Sequence, residues 1–304
     1  MRTKLVCLVV LLAVIGGCSN TPNHDEVIDG LVDAEHAFAR DVAELGMREG
    51  FLKHLAEGSI AFSPTPTDAI AWQGGMADNP ALLVWEPTMA DASTAGDLGF
   101  TTGPWEMRPD GPDGEATSFG HYASVWIRNE GVWKLALDCG VLHAPVEVSE
   151  ARLSRRGHVR TDAPLESPVA FEDVLDAERD LWLAAASDGF ARALADAAAP
   201  DVMVCRMGEM PARGPGQAHE LLWDEVNVVW EPGGGSVAES GDLGYTYGVM
   251  FYRDEDGSTL VGRSAYLRVW ERVPSGAWHV VVDITNPIAE PDVPQGEPGT
   301  GGDL

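Results

Sequence analysis

Basic residues are scarce in this chain of 304 residues, in which 20 Lys and Arg stand against 48 Asp and Glu. The formal net charge is −28, and so acidic a chain lacks the phosphate-neutralising surface that nucleic-acid binding requires. Anionic lipid headgroups would repel it as well. A neutral or cationic small molecule is therefore an easier partner than an anion, although high charge also serves solubility.

Cysteine is sparse too, with four in the chain. No CxxC and no Cys–His spacing suited to a metal occurs, and no His spacing suggests zinc. The sequence also lacks a Ser–His–acid order, a P-loop and the glycine fingerprint of a dinucleotide-binding fold. We therefore predict no metal site and no cofactor. Cys139 and Cys205 could pair in an oxidising compartment, but their non-matching positions in the two halves favour two buried free thiols.

The N-terminal segment "MRTKLVCLVVLLAVIGGC" has a basic start, at Arg2 and Lys4, and an apolar run over residues 5–15. The run is too short to span a bilayer as a permanent helix and is typical of a secretory signal. Its end, Ile-Gly-Gly-Cys, resembles the lipobox of bacterial lipoproteins, and an ordinary signal peptide beside a cysteine is the alternative. The resemblance implies that residues 1–17 are removed and that the thiol of Cys18 carries lipid.

The lipobox resemblance also implies a location in the bacterial cell envelope. Ser19, rather than Asp, follows the cysteine, which favours the outer membrane with the protein facing the periplasm. Residues 18–25 are predicted to form a polar tether, so that the membrane is reached only through the lipid on Cys18. Residues 288–304 combine prolines, glycines and acids without an apolar period, and we predict that they are disordered.

The rest of the chain is an internal duplication. "VWEP" at 84–87 returns at 229–232, "GDLGFTTG" at 96–103 returns as "GDLGYTYG" at 241–248, and "GVWKLALD" at 131–138 returns as "GAWHVVVD" at 276–283. A shared motif order at an offset of about 145 residues indicates a repeated unit long enough to be a domain with its own core. We predict domains at 26–145 and 170–287.

The connecting segment 146–169 is predicted to be a linker because it has prolines and little apolar period. It carries Arg152, Arg155, Arg156 and Arg160 in a chain that is otherwise poor in basic residues. These arginines either lie against an acidic domain face or form a solvated run, and the sequence leaves both open.

Each copy places helices before strands. Helical spacing begins at Ile28 in the first copy and at Phe171 in the second, and a second short helix is predicted over 48–56 and 188–198. A short strand (60–62, 202–205), an irregular stretch and four longer β segments follow. These segments are 82–91, 98–107, 118–128 and 132–140, then 226–231, 243–252, 260–271 and 277–285. Short polar or glycine-bearing connections predict a mixed or antiparallel sheet and an α+β class.

This order, with the residues E…WEP…GDLG[FY]TxG…Y…W…G.W…D, resembles the nuclear transport factor 2-like superfamily, closest to its SnoaL-like and unknown-function branch. The resemblance covers nearly all of each copy. It implies two tandem cone-shaped domains, each a curved sheet packed on N-terminal helices around an internal pocket. Members include ketosteroid isomerase, polyketide cyclases, dehydratases and proteins without catalysis. Because members often dimerise through their sheets, the resemblance implies a pseudo-dimeric monomer.

Two pairs of carboxylates are candidate catalytic residues. Glu35 and its mate Glu178 lie on the apolar stripe of the first helix of each copy, where an unpaired carboxylate is costly. They are either general bases or ligand-binding groups of raised pKa, or structural groups held by indole or phenol donors. Asp138 and Asp283 close the last strand and are either proton-transfer groups or strand-end acids. Strict alternation puts them on the face of Lys134 and His279, opposite the apolar set Trp133, Leu135, Leu137 and Trp278, Val280, Val282.

Aromatic side chains supply the candidate ligand-binding residues. Tyr122 and Trp126, and their mates Tyr266 and Trp270, share a strand face at i and i+4, where they line a pocket or belong to the core. His121 is a candidate base that the second copy lacks, since Ala265 stands there.

Two functions from different classes follow. In the first, the protein binds a small, partly apolar molecule or an envelope protein without turnover. In the second, it is a metal-independent cyclase, isomerase, dehydratase or hydrolase that uses the carboxylates as acid and base. We prefer binding without turnover, because carboxylates without a recognisable acid partner are an incomplete set of catalytic groups.

Overall fold

The two copies of the repeat fold into similar orders of elements in a computed structural model, which describes residues 23–145, 153–156, 169–223 and 227–289. The first copy comprises α1 (His24–Leu45), α2 (Met47–His54), β1 (Leu55–Phe62), β2 (Pro66–Asp68), α3 (Ala69–Gly74), β3 (Leu82–Trp85), β4 (Met89–Ala92), β5 (Leu98–Arg108), β6 (Ser118–Asn129) and β7 (Val132–Leu142). After the short β8 (Ser154–Arg155), the second copy comprises α4 (Phe171–Asp188), α5 (Phe190–Ala197), β9 (Ala198–Cys205), β10 (Ala212–Arg213), α6 (Gly214–Leu221), β11 (Val228–Val237), β12 (Leu243–Arg253), β13 (Leu260–Arg272) and β14 (Trp278–Pro287).

The long helix of the first copy forms where helical spacing and capping agree. Asn23 and Glu26 make a reciprocal capping box at its start, which satisfies backbone N–H groups that have no helical partner. The helix ends at Gly46, whose φ of 83° is a conformation that glycine adopts without steric cost. Its buried residues fall on one stripe, so α1 presents a continuous apolar face to the sheet. They are Val27, Ile28, Leu31, Val32, Glu35, Phe38 and Val42.

The strands form two mixed sheets, which confirms the predicted α+β class with one sheet in each copy. The first has the order β2-β1-β7-β6-β5-β4-β8, with β3 also pairing with β5, and the second has the order β10-β9-β14-β13-β12-β11. The pairs β1–β7 and β9–β14 are parallel, while hairpin neighbours are antiparallel. The expected strand at 82–91 is two strands, β3 and β4, and α3 and α6 lie in the stretches expected to be irregular.

A β-bulge in the last strand of each copy overturns the expected facing of Asp138 and Asp283. Trp126 pairs with Leu135 and Val125 with Leu137, so Ala136 is an extra residue that reverses the alternation after it. As a result Leu135 faces the helices, Leu137 faces the opposite side, and Asp138 returns to the helix side. The second copy repeats this bulge at Val281. The expected grouping of these acids with Lys134 and His279 is therefore wrong.

The opposite faces of the two sheets pack against each other within the chain. One apolar cluster combines residues of both copies, among them Phe100, Val125 and Leu137 from the first and Leu267 and Val282 from the second. Cys139 and Cys205 lie in this cluster as buried free thiols, as predicted. The packing is that of a pseudo-dimer built within one chain, while the oligomeric state of the whole protein stays a prediction.

The repeated "GDLG" phrase joins the two copies. The carboxylate of Asp97 accepts a hydrogen bond from the backbone N–H of Glu239, at 2.8 Å. In exchange, the carboxylate of Asp242 accepts from the backbone N–H of Thr94, at 3.0 Å. The phrase is therefore a reciprocal turn-to-turn contact between the copies.

The linker arginines that the structure describes lie against acidic groups. Arg156 is buried and binds Asp201 at 2.5 Å and Glu271 at 3.0 Å, both from the second copy. Arg155 binds Asp29 of α1 at 2.5 Å. The segment of Arg156 pairs with β4 of the first copy, so Arg156 joins the first copy to the second, whereas Arg152 and Arg160 lie outside the described residues. So do the predicted signal with Cys18, most of the tether, and most of the predicted C-terminal tail.

Among the described helices, none combines the length and the apolar composition that crossing a bilayer would take.

Because the two sheets pack against each other, we expect the stability of the protein to depend on the apolar side chains buried between the copies. Leu137→Ala removes a fully buried side chain between the copies, and we expect the free energy of unfolding to fall by about 2–5 kcal/mol. Val132→Ala, at a side chain of the same strand that is 56% exposed, should change it by no more than about 0.5 kcal/mol. Urea unfolding monitored by tryptophan fluorescence measures both, and equal effects of the two changes would contradict the interface.

Candidate functional site

Glu35 is buried at the meeting point of α1 and the sheet. Its Oε1 accepts a hydrogen bond from the indole N–H of Trp85 at 2.5 Å. Its Oε2 accepts from the Thr101 hydroxyl at 2.5 Å and from the indole N–H of Trp126 at 2.9 Å. Three donors from three strands therefore hold one carboxylate, which ties the helix to β3, β5 and β6.

The same surroundings set the protonation of Glu35. Burial removes water from the carboxylate and raises its pKa to about 7, although the hydrogen bonds from Thr101, Trp85 and Trp126 oppose the rise. The charge of Asp138 adds to the rise. The carboxyl therefore stands near the midpoint of its titration at neutral pH.

A cavity of about 200 Å³ opens beside this carboxyl, between the helices and the sheet of the first copy. Its walls are chiefly aromatic and aliphatic, and the side chain of Asp138 is the one charged group among them. The lining residues are Phe38, Phe51, Leu83, Trp85, Trp105, Met107, Tyr122, Asp138 and Gly140. Glu35 lies behind Trp85 and is not part of the lining.

The cavity has room for Trp105 because glycine stands at two neighbouring strand positions. A Cβ at Gly120 would approach the Trp105 ring to 2.5 Å, and a Cβ at Gly140 would lie 3.0 Å from its indole nitrogen. The indole of Trp105 therefore lies over bare backbone at the cavity wall. A second space of about 200 Å³ adjoins the first and shares Phe51, Asp138 and Gly140 with it.

Asp138 is the polar group that the cavity exposes to a ligand. Its Oδ1 accepts a hydrogen bond from the Ser124 hydroxyl at 2.7 Å, and burial raises its pKa to about 6 against the opposing effect of that bond. The phenol of Tyr122 lines the same cavity, and burial together with the charge of Glu35 raises its pKa well above the ordinary value. The cavity therefore offers one carboxyl that titrates near neutrality and one phenol that stays protonated.

The second copy builds the same carboxyl site and adds a cation to it. Trp230 and Thr246 donate to Glu178, the former at 2.6 Å, and Trp270 donates at 3.3 Å. The guanidinium of Arg268 also donates to Glu178, at 2.6 Å.

Arg268 bridges to the second carboxylate of that copy. Its Nε donates to Asp283 at 2.7 Å, and Arg206 lies 2.7 Å from the other oxygen of Asp283. Burial alone would raise the pKa of Asp283, but the two guanidinium groups outweigh it and lower the pKa below its ordinary value. Asp283 is therefore the anion of a buried ion pair with two arginines, whereas Asp138 borders an open cavity.

His121, the candidate base, is not among the residues that line the cavity. Alternation along β6 turns it to the side opposite Tyr122, toward Arg213 of the second copy. Its Nδ1 lies 3.0 Å from Nε2 of His143, whose own Nδ1 donates to the carbonyl of Ala144. Burial, with the charges of His143 and Arg213, lowers the pKa of His121 to about 3.

The remaining predicted residues divide between wall and core. Tyr122 lines the cavity, whereas Trp126, Tyr266 and Trp270 are buried in the helix-facing cores. The sequence analysis expected indole or phenol donors to Glu35 but did not single out Trp85, although the repeated "VWEP" carried it. It also missed Arg268, because a lone arginine in a strand is normally an exposed residue.

Within the part of the chain that the structure describes, no three His, Cys, Asp or Glu side chains come together in a way that could hold a metal ion.

Comparison with solved structures finds proteins of the predicted fold family. A ketosteroid isomerase-like protein from Erwinia carotovora atroseptica is 15% identical with a TM-score of 0.32, and the match covers 39% of this chain and 96% of that one. A nuclear transport factor 2-like protein with a cystatin-like fold from Novosphingobium aromaticivorans is 20% identical with a TM-score of 0.31, over 40% of this chain and 84% of that one.

A nuclear transport factor 2-like protein of unknown function from Shewanella oneidensis is 10% identical with a TM-score of 0.32, over 38% of this chain and 97% of that one. Each match spans about two fifths of this chain. No protein-family model matches the sequence, and no curated protein does.

The raised pKa of Glu35 predicts a pH-dependent stability. In the unfolded chain this carboxyl loses its proton near 4.5, whereas in the folded protein it keeps the proton up to about 7. The folded state binds more protons between these values, so the free energy of unfolding falls as the pH rises through that window. Glu35 should account for a loss of about 3 kcal/mol, measured by urea unfolding across the window.

The variant Glu35→Gln should remove this part of the slope, because an amide does not titrate. A smaller slope of the same sign should remain from Asp138, whose pKa is raised in the same direction. Glu57→Gln, at an exposed position, is the matched control and should keep the wild-type slope. If Glu35→Gln also keeps it, Glu35 is not its source.

Proposed function

We propose that the first copy of the repeat binds a small, largely apolar molecule in the cavity beside Asp138. The observation that supports this most directly is the lining, in which aromatic and aliphatic walls surround a single charged group. Binding sites for small molecules combine these two features, because apolar walls supply burial and a few polar groups fix orientation. The second copy serves in this proposal as the scaffold that covers the other face of the first sheet.

The contrast between the copies supports the assignment of binding to the first. Glu178 and Asp283 are already paired with Arg268, and Trp230 and Arg206 occupy further acceptor positions of these two carboxylates. Asp138 accepts from the hydroxyl of Ser124 and borders the cavity. A ligand that enters the first copy therefore meets a carboxyl that has capacity left.

Catalysis is a second candidate, and one observation favours it. Asp138 borders the cavity and has a pKa of about 6, which suits a group that accepts and returns a proton near neutral pH. The reactions would be those of a cyclase, isomerase, dehydratase or hydrolase on a small organic substrate. Glu35 fits this role less well, because two indoles and a hydroxyl enclose it behind the cavity wall.

We further propose that the chain is a lipoprotein of the cell envelope, anchored through the thiol of Cys18 and facing the periplasm. The support is the N-terminal pattern of basic start, apolar run and Gly-Gly-Cys. In that setting the cavity would meet molecules that cross the periplasm, and an envelope protein is the alternative partner.

Ligand binding is testable by thermal shift across a panel of small neutral and charged aromatic and alicyclic molecules. A ligand present at a hundred times its dissociation constant should stabilise the folded protein by about 2.7 kcal/mol. Leu83→Trp, which fills the cavity, should abolish the shift, whereas Leu142→Trp at an exposed position should leave it unchanged. Shifts that survive Leu83→Trp would place the ligand elsewhere.

Turnover of any ligand found in this way separates the two candidate functions. Asp138→Asn keeps the shape of the side chain and removes the proton-accepting group. It should abolish turnover if Asp138 is the base. Unchanged product formation by this variant would remove Asp138 from the reaction.

The lipid anchor is testable in bacterial cells that express the full chain. The wild type should incorporate radiolabelled palmitate and fractionate with membranes, and Cys18→Ala should do neither. Cys139→Ala is the matched control, because that thiol is buried in the folded protein. Palmitate incorporation by Cys18→Ala would contradict the anchor.

A further inference from the structure

Ser124 and Arg268 occupy the same place in the two sheets. Ser124 pairs with Thr101 on one side and with Asp138 on the other. Arg268 pairs with Thr246 and with Asp283, which are the mates of those residues in the second copy. The same position of the duplicated sheet therefore carries a small hydroxyl side chain in the first copy and a guanidinium in the second.

The guanidinium of Arg268 lies in a box of carboxylates and rings. It donates to Glu178 and to Asp283, and it lies 5.1 Å from the ring centroids of both Trp230 and Tyr266. Burial alone would lower its pKa, but the two carboxylates outweigh burial and raise it. A buried cation is stable in such a site because opposite charges and aromatic faces replace its water.

The first copy keeps this box and lacks its cation. Glu35, Asp138, Trp85 and Tyr122 are the mates of the four groups that surround the guanidinium. Three of them, all but Glu35, line the cavity of the first copy. Ser124 is too short to fill the space that the guanidinium of Arg268 fills in the second copy.

The hydrogen bonds of the two glutamates agree with this view. In the second copy one oxygen of Glu178 accepts from both Trp230 and Arg268. The corresponding oxygen of Glu35 accepts from Trp85, and no second donor reaches it among the described residues. The first copy therefore has a free acceptor position on Glu35 at the place where Glu178 of the second copy binds the guanidinium of Arg268.

We propose that the cavity of the first copy takes a small ligand whose guanidinium or amidinium group lies where the guanidinium of Arg268 lies in the second copy. This inference rests on the proposed binding function and specifies the chemical class of the ligand. The planar cation would bind Asp138 and stack between Trp85 and Tyr122, with an apolar body against the rest of the cavity wall. The strongly acidic chain would also attract such a cation to the protein.

The charge balance of the first copy gives a physical reason for this choice. Two neighbouring carboxyls in a space with little water cannot both ionise cheaply, and burial raises the pKa of each. A bound cation would offset that cost, as Arg268 does for Asp283. A neutral ligand of the same shape would leave the cost in place and should bind more weakly.

Benzamidine and its neutral isostere benzamide, titrated into the full chain at about pH 8 by calorimetry, test the inference. We expect benzamidine to bind at least about tenfold more tightly than benzamide. Equal affinities would overturn the inference and leave the cavity as the site of a neutral ligand. Binding of neither, while other panel molecules bind, would also overturn it. Failure of the whole panel would overturn the proposed function with it.

Ser124→Arg tests the box from within the protein. The new guanidinium should occupy the cavity, raise the melting temperature and abolish benzamidine binding. Ser124→Met is the matched control, since it adds a chain of comparable length without charge, and it should lose binding without the gain in stability. If Ser124→Arg is no more stable than Ser124→Met, the first copy does not accept a guanidinium and the inference falls.

Discussion

A buried glutamate held by indole N–H groups is the interaction on which each copy of this fold depends. Glu35 joins α1 to three strands in the first copy, and Glu178 does the same for α4 in the second. An unpaired carboxylate in this position would cost several kcal/mol, so the helix can lie on the sheet only where the donors meet it. The cavity follows, because Trp85 supports the carboxylate with its nitrogen and forms the cavity wall with its ring.

The two copies differ most in how they balance the charge of this arrangement. The second copy supplies Arg268 and Arg206, which hold Asp283 ionised, and its box is filled by protein. The first copy has Ser124 instead, and its carboxyls keep raised pKa values beside an open cavity. The duplicated fold thus fills this box with an arginine in one copy and leaves it open in the other.

The contact between the sheets explains the repeated turn phrase. Each sheet buries one face on its own helices and the other on its partner copy. The turns that carry Asp97 and Asp242 meet across this contact, and each accepts a backbone N–H from the other. The glycines after them serve packing as well, since a Cβ at Gly99 would lie 2.7 Å from Leu31 of α1. The phrase therefore has an architectural role in both copies.

The sequence alone determined the duplication, the α+β class, the order of helices and strands, and the carboxylate on the core-facing stripe of each first helix. These features are local, because periodicity, turn residues and repeated motifs report on neighbours along the chain. Only the tertiary structure decided which side chains surround the carboxylates. A single bulged residue at Ala136 reversed the facing of Asp138, and Arg268 reached Glu178 across 90 residues of chain. Such contacts depend on register and on distances between strands, which no spacing along the sequence records.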